Sequence, residues 1–300
     1  MLVLDKPPRM SSAQAVDHVK KRLRIKRAGH GGTLDPIATG VLAICIGEAT
    51  KLAAYLLADD KEYEAEALLG VETDTLDRTG DVTATHACDA ITRGQIETVL
   101  AAHRGELLQV PPMFSAIKQG GVRLYHRARA GEHVERAPRT VRIDRLELLA
   151  FQPATQGVGP RIRVAIACSK GTYVRTLLAD IGTALGCGAH MTELRRTRSG
   201  RFTLAMAHDL DRLDNFHLVP LEEATELPVV IAPAELVPRI RSGLQLPPDM
   251  FAVPIEYYEK FQLFDPDRRL VAIAHVEGNR VVYDRVFGVD ASRTFPQSAP

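Results

Sequence analysis

Three hundred residues, 45% hydrophobic and 25% charged, describe a globular chain long enough for two domains and a sizeable core. The longest apolar run, Val41 to Ile46, falls far below the roughly 18 residues of a membrane helix, and Met1 to Leu4 runs into Asp5-Lys6-Pro7 without a secretory core, so neither membrane spanning nor export is expected. The 38 Lys and Arg nearly cancel the 37 Asp and Glu, which excludes a uniformly basic nucleic-acid binder but not one with segregated charge.

In chain order, Ser11-x-x-Gln14 is a capping-box pattern that predicts a helix with Val16, Val19 and Leu23 inward. Its other side begins a basic run, with six of the eight residues from Lys20 to Arg27 basic. The segment Ala28-Gly29-His30-Gly31-Gly32-Thr33-Leu34-Asp35-Pro36 is expected to be a loop, since glycines and a proline punctuate it. Val41–Ile46 reads as a buried strand. Lys61–Leu69 alternates, with Glu62, Glu64 and Glu66 outward and Tyr63, Ala65 and Ala67 inward, which predicts a half-buried strand.

From Lys118 to Arg145, eight Lys or Arg stand against Glu132, Glu135 and Asp144. Arg161–Cys168 alternates again, and Thr172–Leu185 carries Val174, Leu177, Leu178, Ile181 and Leu185 at helical spacing before Gly186. Arg175 falls in the first turn of that helix, where its charge repeats the positive end of the dipole, so a nearby carboxylate is expected. Arg195, Arg196, Arg198 and Arg201 form a third basic set, while acids gather in 59–81 and 208–226. One strongly positive face is therefore expected, suited to a polyanion. Pro228 to Pro233 marks a boundary before a small β-rich unit with strands near Leu270–Val276 and Arg280–Phe287. Without a regular βαβ period, the class is α+β with a mixed, mainly antiparallel sheet. Cys45, Cys88, Cys168 and Cys187 lie 43, 80 and 19 positions apart, which gives neither zinc nor disulfide spacing and reads as reduced cytoplasmic thiols.

The densest signal is Arg27 to Gly40, which holds one carboxylate, Asp35, in a cationic and neutral loop; it is neither a P-loop nor a dinucleotide fingerprint. Further motifs are Asp5-Lys6-Pro7, Ser11-Ser12, Gly47-Glu48-Ala49-Thr50-Lys51, Thr73-Asp74-Thr75-x-Asp77-x-x-Gly80, Pro111-Pro112-Met113-Phe114-Ser115-Ala116-Ile117-Lys118, Gly121-x-Arg123-x-Tyr125-x-x-Ala128-Arg129, Ser169-Lys170-Gly171-Thr172-Tyr173-Val174-Arg175 and Leu194-Arg195-Arg196. Their order and spacing resemble the TruB family of bacterial tRNA pseudouridine-55 synthases. Arg9 stands where that family commonly has Gly, and Gly31 where Thr commonly follows the loop histidine.

The resemblance implies a pseudouridine synthase fold over residues 1–228, an RNA-clamping insertion at about 118–145 and a PUA-like domain over 229–300. It implies isomerisation of uridine 55 in the T-loop of tRNA: the C1′–N1 bond breaks, the base turns and C5 joins C1′, with no cofactor or metal. Asp35 matches the catalytic aspartate, as nucleophile or as base, and Arg175 its salt-bridge partner, expected to hold its pKa low. Tyr63 matches the active-site tyrosine, Leu194 and Tyr173 the walls of the base pocket, and His30 the residue that fills the place of the extruded base. Lys6, Lys118, Arg123, Tyr125, Arg127 and Arg129 are candidate RNA contacts. The expected partner is tRNA, through the T-arm and, by way of the C-terminal unit, the acceptor end. A cytoplasmic monomer without an obligatory protein partner is expected, with a possible second role as a tRNA folding chaperone. The guide-dependent branch of the superfamily is disfavoured because Asp5-Lys6-Pro7 begins almost at Met1. A purely RNA-binding module is disfavoured because Asp35, Tyr63 and Arg175 are all present.

Overall fold

The computed structural model describes residues 1–288 apart from 116–117, 125–126, 128–130, 133, 156–157 and 214–215, and the backbone alone at 118–119 and 122–123. Strand β1 (Leu2–Lys6) leads into helix α1 (Ser12–Arg22). The capping box forms as the sequence predicts: Gln14 N donates to Ser11 Oγ at 3.2 Å and Ser11 N to Gln14 Oε1 at 2.8 Å. Val16 and Val19 are buried and Leu23 half-buried.

The expected loop begins instead as a short strand, β2 (Ala28–His30), antiparallel to β3 (Thr39–Ile46) with Gly29 opposite Cys45. Nothing in Ala-Gly-His has a strand period; the order comes from the backbone of β3, a buried apolar strand with an edge to offer. After α2 (Ala53–Ala58), β4 (Lys61–Leu69) alternates strictly between buried and half-buried residues. The hairpin β5 (Val71–Thr73) and β6 (Val82–Thr85), helix α3 (Arg93–Ala102) and β7 (Gly105–Gln109) follow.

A small hairpin, β8 (Lys118–Gln119) and β9 (Val122–Arg123), precedes β10 (Arg139–Gln152), β11 (Arg161–Cys168) and α4 (Val174–Ala184). The basic stretch 118–145 is thus divided. Its first part lies in the chain between β7 and β10, whereas Arg139, Arg142 and Arg145 belong to β10 itself. Strands β12 (Ala189–Ser199), β13 (Phe202–Thr203) and β14 (His208–Asp209) complete a ten-stranded sheet. Its order is β14-β1-β3-β12-β4-β11-β10-β7, with β2 on β3 and β13 on β12. Among the described residues of this sheet, only β1 with β14 and β3 with β12 pair in parallel, so it is mixed and mainly antiparallel, as expected for the α+β class.

Helices α1, α3 and α4 cover one face, where Val19, Leu100, Leu177, Leu178 and Ile181 meet Leu4, Ile44, Ala67, Val164 and Ile166. Each such aliphatic side chain contributes about 1.5–3 kcal/mol by leaving water. On the opposite face, Met1, Val3, Val41 and Ala43 pack against Phe264, Ile273 and Phe287 of the C-terminal unit. That unit contains β15 (Val229–Ile231), α5 (Val237–Arg241), β16 (Phe261–Phe264), β17 (Leu270–Glu277) and β18 (Arg280–Val286) in a four-stranded sheet, with its own core around Ile240, Phe261, Leu263 and Val281.

The outer face of β4 corrects the expectation of segregated charge for its own acids and for the third basic set. Glu62 pairs with Arg145 and Arg198, Glu64 with Arg163, and Glu66 with Arg161. The acids and bases that lie far apart in sequence are brought together by cross-strand register. The third basic set is consumed in the same way: Arg195 pairs with Asp5, Arg198 with Glu62 and Arg201 with Glu223, while Arg196 is 2% exposed. Lys21, Arg24 and Lys26 of the first run remain exposed.

Candidate active site

The Arg27–Gly40 segment returns from β2 across the end of β3, and three buried side chains hold its backbone. Ser12 Oγ donates to Leu34 O at 3.1 Å and accepts from Leu34 N at 2.8 Å. Arg196 donates to Val41 O at 2.7 Å, Gly32 O at 3.2 Å and Thr33 O at 3.4 Å. Lys6, fully buried, donates to Pro7 O, Met10 O and Pro36 O at 2.8, 2.7 and 3.5 Å, and burial pulls its pKa down to about 8. Lys6, expected to contact RNA, therefore spends its ammonium on the scaffold of the loop. Gly40 permits β12 to approach, because a Cβ there would lie 2.1 Å from Arg196 O.

Both departures from the family pattern have local structural accounts. Arg9 adopts φ +62°, the left-handed region where Gly is unstrained, and its N–H donates to Pro36 O at 2.8 Å. The turn that braces the loop is kept, at the cost of placing a side chain in a strained conformation. Gly31 is buried against Leu56, whose Cδ1 and Cβ would stand 2.7 and 2.8 Å from a Cβ at this position. A larger residue at 31 would require Leu56 to move, so Gly31 and Leu56 fit each other.

Around Asp35 these elements leave a cavity of about 110 Å³ lined by Thr33, Leu34, Asp35, Tyr63, Ser115, Thr172, Tyr173, Val174, Arg175 and Leu194. Five of the expected site residues, Asp35, Tyr63, Tyr173, Arg175 and Leu194, thus converge from four separate parts of the chain. Cross-strand register explains part of this, since Tyr63 of β4 lies opposite Arg196 and Ala65 opposite Leu194 of β12. The Arg175 guanidinium meets the carboxylate twice, Nε to Oδ2 and Nη2 to Oδ1, both at 3.3 Å. It also donates to Thr75 O at 3.3 Å and to Phe114 O at 2.5 Å. The carboxylate predicted from the dipole argument is therefore present, and the same fork ties together two further loops.

The loop 73–81 is shaped by Asp77, which is buried and whose Oδ1 accepts from Thr75 Oγ1 at 3.0 Å and Thr79 N at 2.8 Å. This turn presents Thr75 O to Arg175. Tyr173 is held by Gln109, whose amide donates to Tyr173 O at 3.1 Å and accepts from Tyr173 N at 2.7 Å. Arg139 lies over the Tyr173 ring at 4.8 Å.

Electrostatics corrects one expectation. Burial pushes the Asp35 carboxyl above its ordinary pKa, with Arg175 pulling it back, Asp77 adding to the rise and Lys6 opposing it. About two thirds of its side chain is shielded from solvent, and this desolvation outweighs the arginine. Burial likewise raises the Tyr63 phenol, opposed by the guanidinium of Arg196 beside it.

Of the remaining expected residues, Lys6, His30 and Arg127 are not among those that line the cavity. His30 is half-buried on β2. Lys118 and Arg123 face each other in the backbone register of the small hairpin, and Arg127 approaches Glu132 at 3.8 Å. The side chains of Lys118 and Arg123, and Tyr125 and Arg129 altogether, lie outside the described residues. Among the described residues no three His, Cys, Asp or Glu side chains gather to hold a metal, and no helix is long and apolar enough to cross a membrane. A larger cleft of about 850 Å³, lined by Tyr55, Asp59, Lys170, Tyr257 and Lys260 among others, shares no residue with the Asp35 cavity.

Residues 20–174 match the N-terminal domain of the TruB family of pseudouridylate synthases, and residues 175–237 the C-terminal domain of tRNA pseudouridylate synthase B. The junction falls inside α4 and is not a structural division. The tRNA pseudouridine synthase B of Stutzerimonas stutzeri is 51% identical over 217 residues, which is 72% of this chain and 69% of that protein. That of Pseudomonas fluorescens is 50% identical over 226 residues, 75% and 72% of the two chains. Among solved structures, a chain in the crystal structure of a Cbf5–Nop10–Gar1 complex aligns over 95% of this chain and 84% of its own, with a TM-score of 0.72 and 29% identity. A sheet of this order with Asp35, Tyr63, Arg175 and Leu194 gathered in one cavity, together with relatives at half identity over most of both lengths, places the chain in the TruB family of pseudouridylate synthases.

Proposed function

We propose that this chain isomerises uridine 55 in the T-loop of tRNA to pseudouridine. The single observation that carries the reading is the Asp35 carboxylate at a cavity whose other walls are the Tyr63 and Tyr173 rings, the Leu194 side chain and the Arg175 fork. A planar pyrimidine fits between such apolar walls, and a carboxylate beside it can act on the sugar or the base. In the net reaction the C1′–N1 bond breaks and the C1′–C5 bond forms, while C5 loses a proton and N1 gains one. Asp35 must be ionised whether it serves as nucleophile or as base.

A nucleotide stacked in a folded loop reaches this cavity only after extrusion, at a cost of a few kcal/mol. In this reading His30, on the rim strand β2, occupies the vacated place. Lys6 acts through the Asp35 loop, and the hairpin residues Lys118, Arg123, Tyr125, Arg127 and Arg129 close over the T-arm. Residues 1–228 form the catalytic domain and 229–300 a PUA-like domain that meets the acceptor end. The chain works as a cytoplasmic monomer without a cofactor. The half-identical relatives named tRNA pseudouridine synthase B favour the stand-alone enzyme over the guide-dependent branch, to which identity is 29%. Incubation of the purified chain with a T-arm hairpin labelled with tritium at C5 of the target uridine tests the reading: tritium release supports it, and none refutes it.

Positioning is separable from chemistry. Replacing Arg123, Arg127 and Arg129 together with Ala should weaken binding and flatten the dependence of log affinity on log salt by about two to three, since each phosphate contact contributes roughly 0.7 to 0.9 to the slope. A slope equal to that of the wild type would move the RNA face to the exposed run Lys20–Arg27.

A further inference from the structure

The sequence carries two serines that the fold buries beside Asp35, and they differ in one respect. Ser12 is 2% exposed and uses its hydroxyl both ways, as donor to and acceptor from the backbone of Leu34. Ser115 is 4% exposed, lines the Asp35 cavity, and its Oγ has no hydrogen-bond partner among the described residues. A buried hydroxyl without a partner is destabilising, and Ala would fill almost the same space without that cost.

The position of this hydroxyl is tightly set. Ser115 N donates to Met113 O at 2.9 Å, and the carbonyl of the preceding residue, Phe114, accepts from Arg175 Nη2 at 2.5 Å. The guanidinium that meets Asp35 therefore also anchors the segment that carries Ser115. Ser115 lines the same cavity of about 110 Å³ as Asp35, among aromatic and aliphatic side chains, and a hydroxyl there without a partner among the described residues has the chemistry to bond a polar edge atom of a pyrimidine nucleotide.

We infer that Ser115 is a substrate contact, its hydroxyl hydrogen-bonding the extruded target uridine and fixing it against Asp35. The assignment rests on the reading of this cavity as a uridine site. It also gives the Pro111-to-Lys118 motif a role in the reaction: the segment brings a hydroxyl into the cavity as it docks on Arg175.

The test compares Ser115→Ala and Ser115→Cys with the wild type in single-turnover tritium release at saturating T-arm RNA, together with thermal melting of the free proteins. Ser115→Ala should be about tenfold slower, the loss expected for one neutral hydrogen bond realised with substrate. Ser115→Cys, a weaker donor, should fall between. The melting temperature of Ser115→Ala should equal or exceed that of the wild type, because no protein bond is lost. A Ser115→Ala rate within twofold of the wild type would overturn the assignment. So would a melting temperature several degrees lower, which would make the hydroxyl a structural partner. A wild-type chain inactive on this RNA would overturn the uridine reading itself, and the assignment with it.

Discussion

Asp35→Asn is expected to abolish pseudouridine formation, by a factor of at least about 10⁴, while leaving affinity for a T-arm hairpin within a few fold. Asn is nearly isosteric, and the Asp-Pro turn depends on backbone bonds, Ala38 N to Asp35 O at 3.0 Å and Arg9 N to Pro36 O at 2.8 Å, that the substitution leaves in place. The clamps from Ser12 and Arg196 on residues 32–34 are likewise independent of the carboxylate. An amide can still accept from Arg175, so the two loops joined by that arginine keep their positions. What disappears is the charge, and with it any capacity to act as nucleophile or base. Single-turnover tritium release near the wild-type rate would remove Asp35 from the chemistry, and a large loss of RNA affinity would make it a binding residue instead.

The elements legible in the sequence are those whose signal is local. The alternation of Lys61–Leu69 and Arg161–Cys168 predicts β4 and β11 to the residue, and the capping box predicts where α1 begins. β2 is illegible in the sequence because its order comes from the edge of β3 rather than from its own side chains. The pairing of the β4 acids is illegible for a related reason. Glu62, Glu64 and Glu66 stand about 80 to 140 positions from the arginines that neutralise them, and only cross-strand register brings them together.

The site divides along the same line. Asp35, Tyr63 and Arg175 stand in dense motifs and can be named from the sequence. Gln109 and Arg196, which hold Tyr173 and the loop at Gly32 and Thr33, act on backbone atoms distant in the chain, while Asp77 shapes the local turn that aims the Thr75 carbonyl. For Arg196 the signal existed in Leu194-Arg195-Arg196: on a strand, alternation sends neighbouring arginines to opposite faces, so one of the two had to point inward. The direction of the Asp35 pKa is illegible in the sequence because burial, its largest cause, depends on the fold. Desolvation, with a smaller addition from the Asp77 charge, exceeds the pull of Arg175.

Arg175→Ala should therefore do more than lower the rate. Removing one member of a buried ion pair costs about 3 kcal/mol or more, a loss of roughly a hundredfold if expressed in the rate. The carboxyl of Asp35 is already raised by burial, and only its ionised form is competent, so activity is lost as pH falls through its pKa. Arg175 is the charge that opposes this rise, so its removal must move the acid limb of the rate profile to higher pH. Asp77→Asn removes a charge that adds to the rise and must move the limb to lower pH. Arg175→Lys keeps a cation beside Asp35, so its limb should stay near that of the wild type. Its rate should recover only in part, because an ammonium cannot reach Asp35, Thr75 O and Phe114 O with the geometry of a planar fork. A folded Arg175→Ala protein with full activity, or with an unshifted acid limb, would show that this arginine does not set the charge of Asp35.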